Sequence, residues 1–347
     1  MKKIVGWVLI LLLSSSIALA GCSSGSNDSK QTGGTESSSA PVQGEKIVLG
    51  FNPWPGYYPW FIAQEKGIFK KYGLNVEIKV FPVLSDELNA ISGGNLDIAG
   101  ATINDLVVPL SKGVKLKVVG VYDISNGGDA FVVKNGINSF QDLKGKNVAT
   151  ELGTVDHLLM LVGMKKAGLK ESDVKFTNMS INDAGPALIA GNLDGASLYE
   201  PFVSQAIAGD KAKVLFSSKN VPGLITDVIT VKEELAQKRP EDVKKLLMAW
   251  YDALDYWKQH PDESMEIMAK AAETPVDKYK GVYDGIKIFN LDESIQAFEK
   301  KDDYSSLTYT GMETYAFLKK LGMMDSEPKL DQALDVHFLQ EIKSERK

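Results

Sequence analysis

The chain is 347 residues long and acidic, with 45 Asp and Glu against 39 Lys and Arg and a formal charge of −6. That length exceeds one comfortable core and suits two lobes, while the negative balance argues against nucleic acid, which calls for a basic stripe. A single cysteine excludes an intramolecular disulfide, so the fold must rest on its core.

Lys2 and Lys3 precede an apolar run from Ile4 to Ala20. These are the charged and apolar regions of a secretory signal, too short for a structural membrane helix. The run ends in Leu19-Ala20-Gly21-Cys22, which is similar to the lipobox at which bacteria cleave and acylate a new N-terminal cysteine. Residues 1–21 are therefore expected to be a lipoprotein signal peptide, and Cys22 the lipidated residue. Residues 22–45 are dominated by Gly, Ser, Thr, Asn and Gln, too polar to order themselves. As a flexible tether they would reach about 25 to 30 Å. The expected location is extracytoplasmic, held to the cell membrane by lipid alone.

From residue 46 onward, short β-runs alternate with helical patterns of 10 to 15 residues, the mark of α/β units with parallel-rich sheets. The first lobe is predicted to use strands at 47–50, 75–81, 96–99 and 115–122. The second would use 147–149, 174–178, 195–198 and 213–216, and 228–231 carries the chain back. The predicted division is 46–131 with 229–347 as lobe 1, and 132–228 as lobe 2. An internal echo supports paired lobes: Gly73-Leu74 matches Gly168-Leu169, and Gly94-Asn95-Leu96-Asp97 matches Gly191-Asn192-Leu193-Asp194. Both matches have nearly the same spacing, and in each a helix stops at glycine before a strand. Downstream, Pro240 opens a helix with Val243, Leu246, Leu247, Trp250, Leu254 and Trp257 on one stripe, a core-packing pattern.

The most telling segment follows the first strand. Asn52-Pro53-Trp54-Pro55-Gly56-Tyr57-Tyr58-Pro59-Trp60 crowds four large rings onto a strand-to-helix loop, where Pro59 suits a first helical turn. Such rings are costly to leave in water unless they line something. With Glu65-Lys66-Gly67-Ile68-Phe69, Gly73-Leu74 and Val76-Glu77-Ile78, the unit resembles the start of the solute receptors of bacterial ABC importers, of the nitrate/sulfonate/taurine type. The resemblance implies a two-lobed fold of the periplasmic-binding-protein type II class, with a hinge and a ligand cleft between lobes. It also implies a monomer that takes a small-molecule ligand and works with an ABC permease and its ATPase, with no cofactor.

Ligands in such folds sit at the carboxyl ends of the strands. That rule selects Trp54, Tyr57 and Tyr58 as walls; Asn104 and Asp105, after Thr102; Asp123, Ser125, Asn126 and Asp129 at the crossing; Glu151 and Thr154 beside Gly153; Glu200, between Tyr199 and Pro201; and Asp227. Rings, amides, hydroxyls and carboxylates make up the set, with no Arg, Lys or His. This favours a small cationic or neutral solute, since rings attract cations and carboxylates accept N–H groups. Guanidinium, planar with several in-plane donors, fits that description. The run 123–129 with Asn104-Asp105 also resembles a urea-type or guanidine-linked branch. Helix N-termini near Pro59, Thr102 and Thr154 pull the other way, toward a nitrate, alkanesulfonate or taurine-type anion.

Plainer roles stand beside these. Thr102-Ile103-Asn104-Asp105 fits a capping box, 123–129 reads equally as a polar crossover loop, and Asp227 as a solvated turn. An enzyme reading has little support. His157, His260 and His337 lack zinc-site spacing, and no phosphate loop, dinucleotide fingerprint or G-x-S-x-G motif is present. The related pyrimidine-precursor enzymes implied by the same fold depend on a cysteine-rich motif that this chain does not have. No metal is expected: calcium would need six or more oxygens, and EF-hand spacing is absent.

Overall fold

Each predicted alternation of strand and helix becomes a layer of one of two sheets in a computed structural model that describes residues 44–346. The signal segment, Cys22 and nearly all of the tether lie outside the described residues. The chain first lays down β1 (Lys46–Phe51), β2 (Asn75–Val80), β3 (Ile98–Thr102) and β4 (Leu116–Ser125). It then builds a second sheet from β5 (Asp129–Lys134), β6 (Asn147–Thr150), β7 (Lys175–Asn178), β8 (Gly195–Tyr199) and β9 (Ala212–Ser217). It returns as β10 (Thr226–Lys232) and adds β11 (Ile286–Ile288) to the edge.

The two sheets share one plan. The first runs β11-β4-β10-β3-β1-β2 and the second β7-β6-β8-β5-β9. In each, three strands pair in parallel, and one strand from the far end of a crossing is inserted antiparallel beside them. Most strands in each sheet therefore point one way, as expected, while the pairing itself is mixed. The echo in the sequence marks this plan. Gly94 and Gly191, with φ of +80° and +82°, end the equivalent helices Leu84–Ser92 and Ile181–Ile189 that feed β3 and β8. Only glycine takes that left-handed turn without a Cβ penalty.

Helices cover both faces of the sheets, so β3 and β8 are buried at every position. The helix Pro240–Gln259 packs Val243, Leu246, Leu247 and Trp250 fully inside. Leu254 and Trp257 on the same stripe are only half-buried. Trp250 meets Trp60 at 4.9 Å and Tyr122 at 4.7 Å between ring centroids, and the Trp60 Nε1–H donates to the Tyr122 hydroxyl at 2.9 Å. These rings bind the C-terminal helices to the first sheet.

Two strands escaped the sequence reading, β5 and β11. Polar residues and paired glycines make 123–129 look like a loop, but β4 continues through Ser125 because its polar side chains find buried partners. The divisions expected at 131/132 and 228/229 accordingly cut through β5 and β10. The chain changes sheets at 126–128 and again at 218–225. At the first crossing the Asn126 and Gly128 amides both donate to the Gly285 carbonyl, at 2.8 and 3.0 Å. Gly128 is there because a Cβ would lie 2.6 Å from the Trp54 ring and 3.0 Å from that carbonyl.

Candidate functional site

Two rings of the loop after β1, Trp54 and Tyr57, are held inward by buried polar partners. The Trp54 amide donates to Asn52 Oδ1 at 3.0 Å, and its indole Nε1–H donates to both oxygens of Asp123 at 3.1 and 3.2 Å. The Tyr57 hydroxyl donates to Asp227 Oδ1. Gly100 on β3 leaves room for that ring, since a Cβ there would meet it at 3.0 Å. Asp227 is flanked in the sheet by Thr102 on β3 and Asp123 on β4.

These side chains form one wall of a small cavity between the sheets. From the first sheet it is lined by Asn52, Trp54, Tyr57, Leu84, Thr102, Asp105, Ile225 and Asp227. From the second come Asp129, Val155, Asp156 and Tyr199. Trp54 and Tyr199 meet edge to face across it, with centroids 6.4 Å apart. The space open to the centre of a water-sized sphere is about 20 Å³, enough for one or two water-sized groups. Its four carboxylates face no Arg, Lys or His among the lining residues.

The carboxylates are desolvated and their protons are held tightly. Burial pushes Asp105 up to about 6, opposed by hydrogen bonds from Thr102 and the Val155 amide. Burial likewise pushes Asp129 up to about 7 and Asp123 up to about 8. Asp156 and Asp227 are raised well above the carboxylate range, first by burial and then by neighbouring carboxylates. Asp129 Oδ2 and both oxygens of Asp156 have no partner within the protein. Unpaired buried oxygens facing a cavity are acceptors for something that enters it.

The predicted residues divide into two groups. Trp54, Tyr57, Asp105, Asp129 and Asp227 line the cavity. Asp123 stands behind Trp54 as its partner. Tyr58 turns into the core against Phe51, Phe61 and Tyr279. Asn104 faces the helix Leu307–Lys320, donating to Thr314 Oγ1 at 2.8 Å. Ser125 bonds Ser218 Oγ at 2.8 Å and accepts the Asp129 amide, tying down the crossing, and Asn126 is exposed. Thr154 donates to the Glu151 carbonyl at 2.8 Å. Glu151 accepts the Ser85 amide at 2.8 Å. Glu200 accepts from Ser204 Oγ and N at 2.9 and 3.2 Å, capping its own helix, and burial pushes it up to about 7.

Asn52, Leu84, Val155, Asp156 and Ile225 were not foreseen. Asp156 carried the weakest signal, because an acidic residue in a first helical turn normally reads as a solvated complement to the helix dipole. His157 is buried but points away, with Nε2 2.6 Å from Glu171 and its ring stacked on Phe176. Among the described residues no group of three or more His, Cys, Asp or Glu is arranged to hold a metal ion. No described helix is long and apolar enough to cross a membrane.

A family model described as NMT1/THI5 like matches residues 54–264, more than half of the chain. The chain belongs to that family. Among its relatives, a Brucella abortus protein whose name says binding but no ligand is 27% identical over 216 residues, 60% of this chain. The match spans 66% of that relative, just under two thirds of its length. The taurine-binding periplasmic protein of Escherichia coli K12 is 29% identical over 244 residues, 65% of this chain and 73% of that one. The solved alkanesulfonate-binding protein of Xanthomonas axonopodis pv. citri, bound to MOPS, superposes with a TM-score of 0.71. It is 17% identical and covers 84% of this chain and 98% of that one, which establishes the two-lobed fold. The relatives named here are described as binding proteins.

Proposed function

We propose that this chain is the extracytoplasmic receptor of an ABC importer, tethered through a lipid on Cys22, and that it captures a small solute bearing a cationic, N–H-rich group. Guanidinium, methylguanidine and short amines belong to that class, and those larger than one or two water-sized groups require the cavity to widen from its present volume of about 20 Å³. The observation that carries the reading is the cavity lining: Asp105, Asp129, Asp156 and Asp227 with the rings of Trp54, Tyr57 and Tyr199, and no basic side chain. A cation would satisfy the unpartnered oxygens of Asp129 and Asp156 with charge-assisted bonds, and the rings would face it. An enzyme is not proposed, since the cavity holds no nucleophile set against a base.

The relatives support a second reading, an anionic or zwitterionic solute of the sulfonate and taurine type. Buried carboxyl groups that keep their protons can donate to anion oxygens, so the same cavity could serve it. The two readings differ in sign. A cation lowers the carboxyl pKa values and expels protons, so its affinity rises with pH through the window around 6 to 8. An anion needs those protons, so its affinity falls over the same window.

The test is a thermal-shift screen of the full chain at pH 6 and pH 8. One panel holds guanidinium, methylguanidine, urea and short amines, and the other nitrate, taurine and alkanesulfonates. A ligand at 100 times its dissociation constant stabilises by about 2.7 kcal/mol, which such a screen reads easily. Stabilisation by the first panel, larger at pH 8, supports the cation reading. Stabilisation by the second panel, larger at pH 6, transfers the proposal to the anion reading.

A further inference from the structure

Two helices at the cavity begin without a side-chain cap of their own. Leu84–Ser92 in the first lobe starts after Val83, and Val155–Lys166 in the second starts after Thr154, whose hydroxyl is turned back to the Glu151 carbonyl. The first four amides of a helix have no partner within it and attract a negative group. Here each helix receives its carboxylate from the opposite lobe. Asp105, on the first-lobe helix Ile103–Ser111, accepts the Val155 amide at 2.8 Å. Glu151, on the second-lobe loop after β6, accepts the Ser85 amide at 2.8 Å. Both carboxylates are about 95% buried.

We infer that the closed arrangement of the lobes is held by this reciprocal exchange of helix caps, and that Glu151 is a positioning residue that governs ligand retention without lining the cavity. Opening the cleft removes both caps together. It leaves two helix ends uncapped and returns two carboxylates to water, so each contact favours the other. Asp105 also lines the cavity, which links the exchange to whatever occupies it. Glu151 does not line the cavity; besides closure it acts there only through its charge, which raises the pKa values of Asp105 and Asp156. The inference is independent of which ligand class the cavity takes.

Amide hydrogen exchange on the full chain, read at Ser85 and Val155 by NMR without added ligand, tests it. In Glu151→Ala the Ser85 amide must lose protection in any account, because its acceptor is gone. The reciprocal latch requires that Val155 lose protection too, by about tenfold or more, the loss of one charge-assisted bond. Asp105→Ala must expose Ser85 in the same way. Val83→Asp, which supplies the first helix with its own cap, must raise exchange at Val155 while leaving every carboxylate of the site in place. Glu151→Gln, which keeps an acceptor oxygen, should restore part of the Val155 protection. Unchanged exchange at Val155 in Glu151→Ala and Val83→Asp would overturn the inference and reduce both contacts to independent local caps.

Discussion

Asp123 and Asp227 are cross-strand neighbours on β4 and β10, and each is held by one aromatic donor from the loop after β1. Trp54 Nε1 serves the first and the Tyr57 hydroxyl the second. Two buried carboxylates side by side repel unless they share protons or donors, and burial raises both. The aromatic loop is therefore part of the electrostatics of the cavity as well as its wall.

Tyr57→Phe removes the donor to Asp227 and leaves a buried oxygen unsatisfied. The expected cost is about 1–3 kcal/mol of stability, read as a lower denaturation midpoint. Trp54→Phe should cost a similar amount through Asp123. If both variants unfold like the parent protein, these hydrogen bonds do not support the loop.

The acidic cavity should make stability depend on pH in the unusual direction. Unfolded carboxylates titrate near 4, whereas Asp105, Asp129 and Asp123 are raised to about 6, 7 and 8 by burial. Between those values the folded chain holds more protons than the unfolded chain, so stability falls as pH rises. Their contribution is complete below about pH 4 and lost above about pH 8. Urea titrations at pH 5 and pH 8 should give the higher midpoint at pH 5.

Asp129→Asn keeps the shape of a side chain with an unpartnered oxygen and removes its charge. A cationic ligand should then bind about tenfold to a hundredfold more weakly, one charge-assisted hydrogen bond, while the ligand-free protein becomes more stable at pH 8. Glu200→Gln should leave affinity unchanged, because that carboxylate caps its own helix at Ser204. Calorimetry on the two variants separates the residues; equal losses would return Glu200 to the site.

Asp105 occupies the N-terminus of the helix Val155–Lys166, a position that otherwise attracts anions. Asp105→Ser should free that helix end and give measurable binding of sulfate or taurine where the parent has none, if the cation reading holds. A parent protein that binds taurine better than the variant would contradict this.

Gly128→Ala introduces a methyl group 2.6 Å from the Trp54 ring and 3.0 Å from the Gly285 carbonyl. The ring must shift and disturb its bond to Asp123, at a cost of about 1–3 kcal/mol. Near-ultraviolet circular dichroism should report the displaced tryptophan.

Much of the architecture was legible in the chain itself. Strand and helix periods, glycine stops at Gly94 and Gly191, and the ring-rich loop at 54–60 are local signals, and local backbone preference is what they encode. They were sufficient for two lobes and for most strands. Which carboxylates face the cavity was a different matter. Asp129 and Glu200 both follow the strand-end rule, yet one points an unpaired oxygen into the cavity and the other turns back to Ser204. Asp156 stands in the first turn of the helix Val155–Lys166 and is buried without a partner. The apolar run of strand β5, Ala130 to Val133, is short and directly follows the polar crossing, and its partners in β8 and β9 lie more than 60 positions away. Sequence period tells which face of an element is apolar; only the packing of elements distant in the chain decides which polar atoms find a partner and which are left for a ligand.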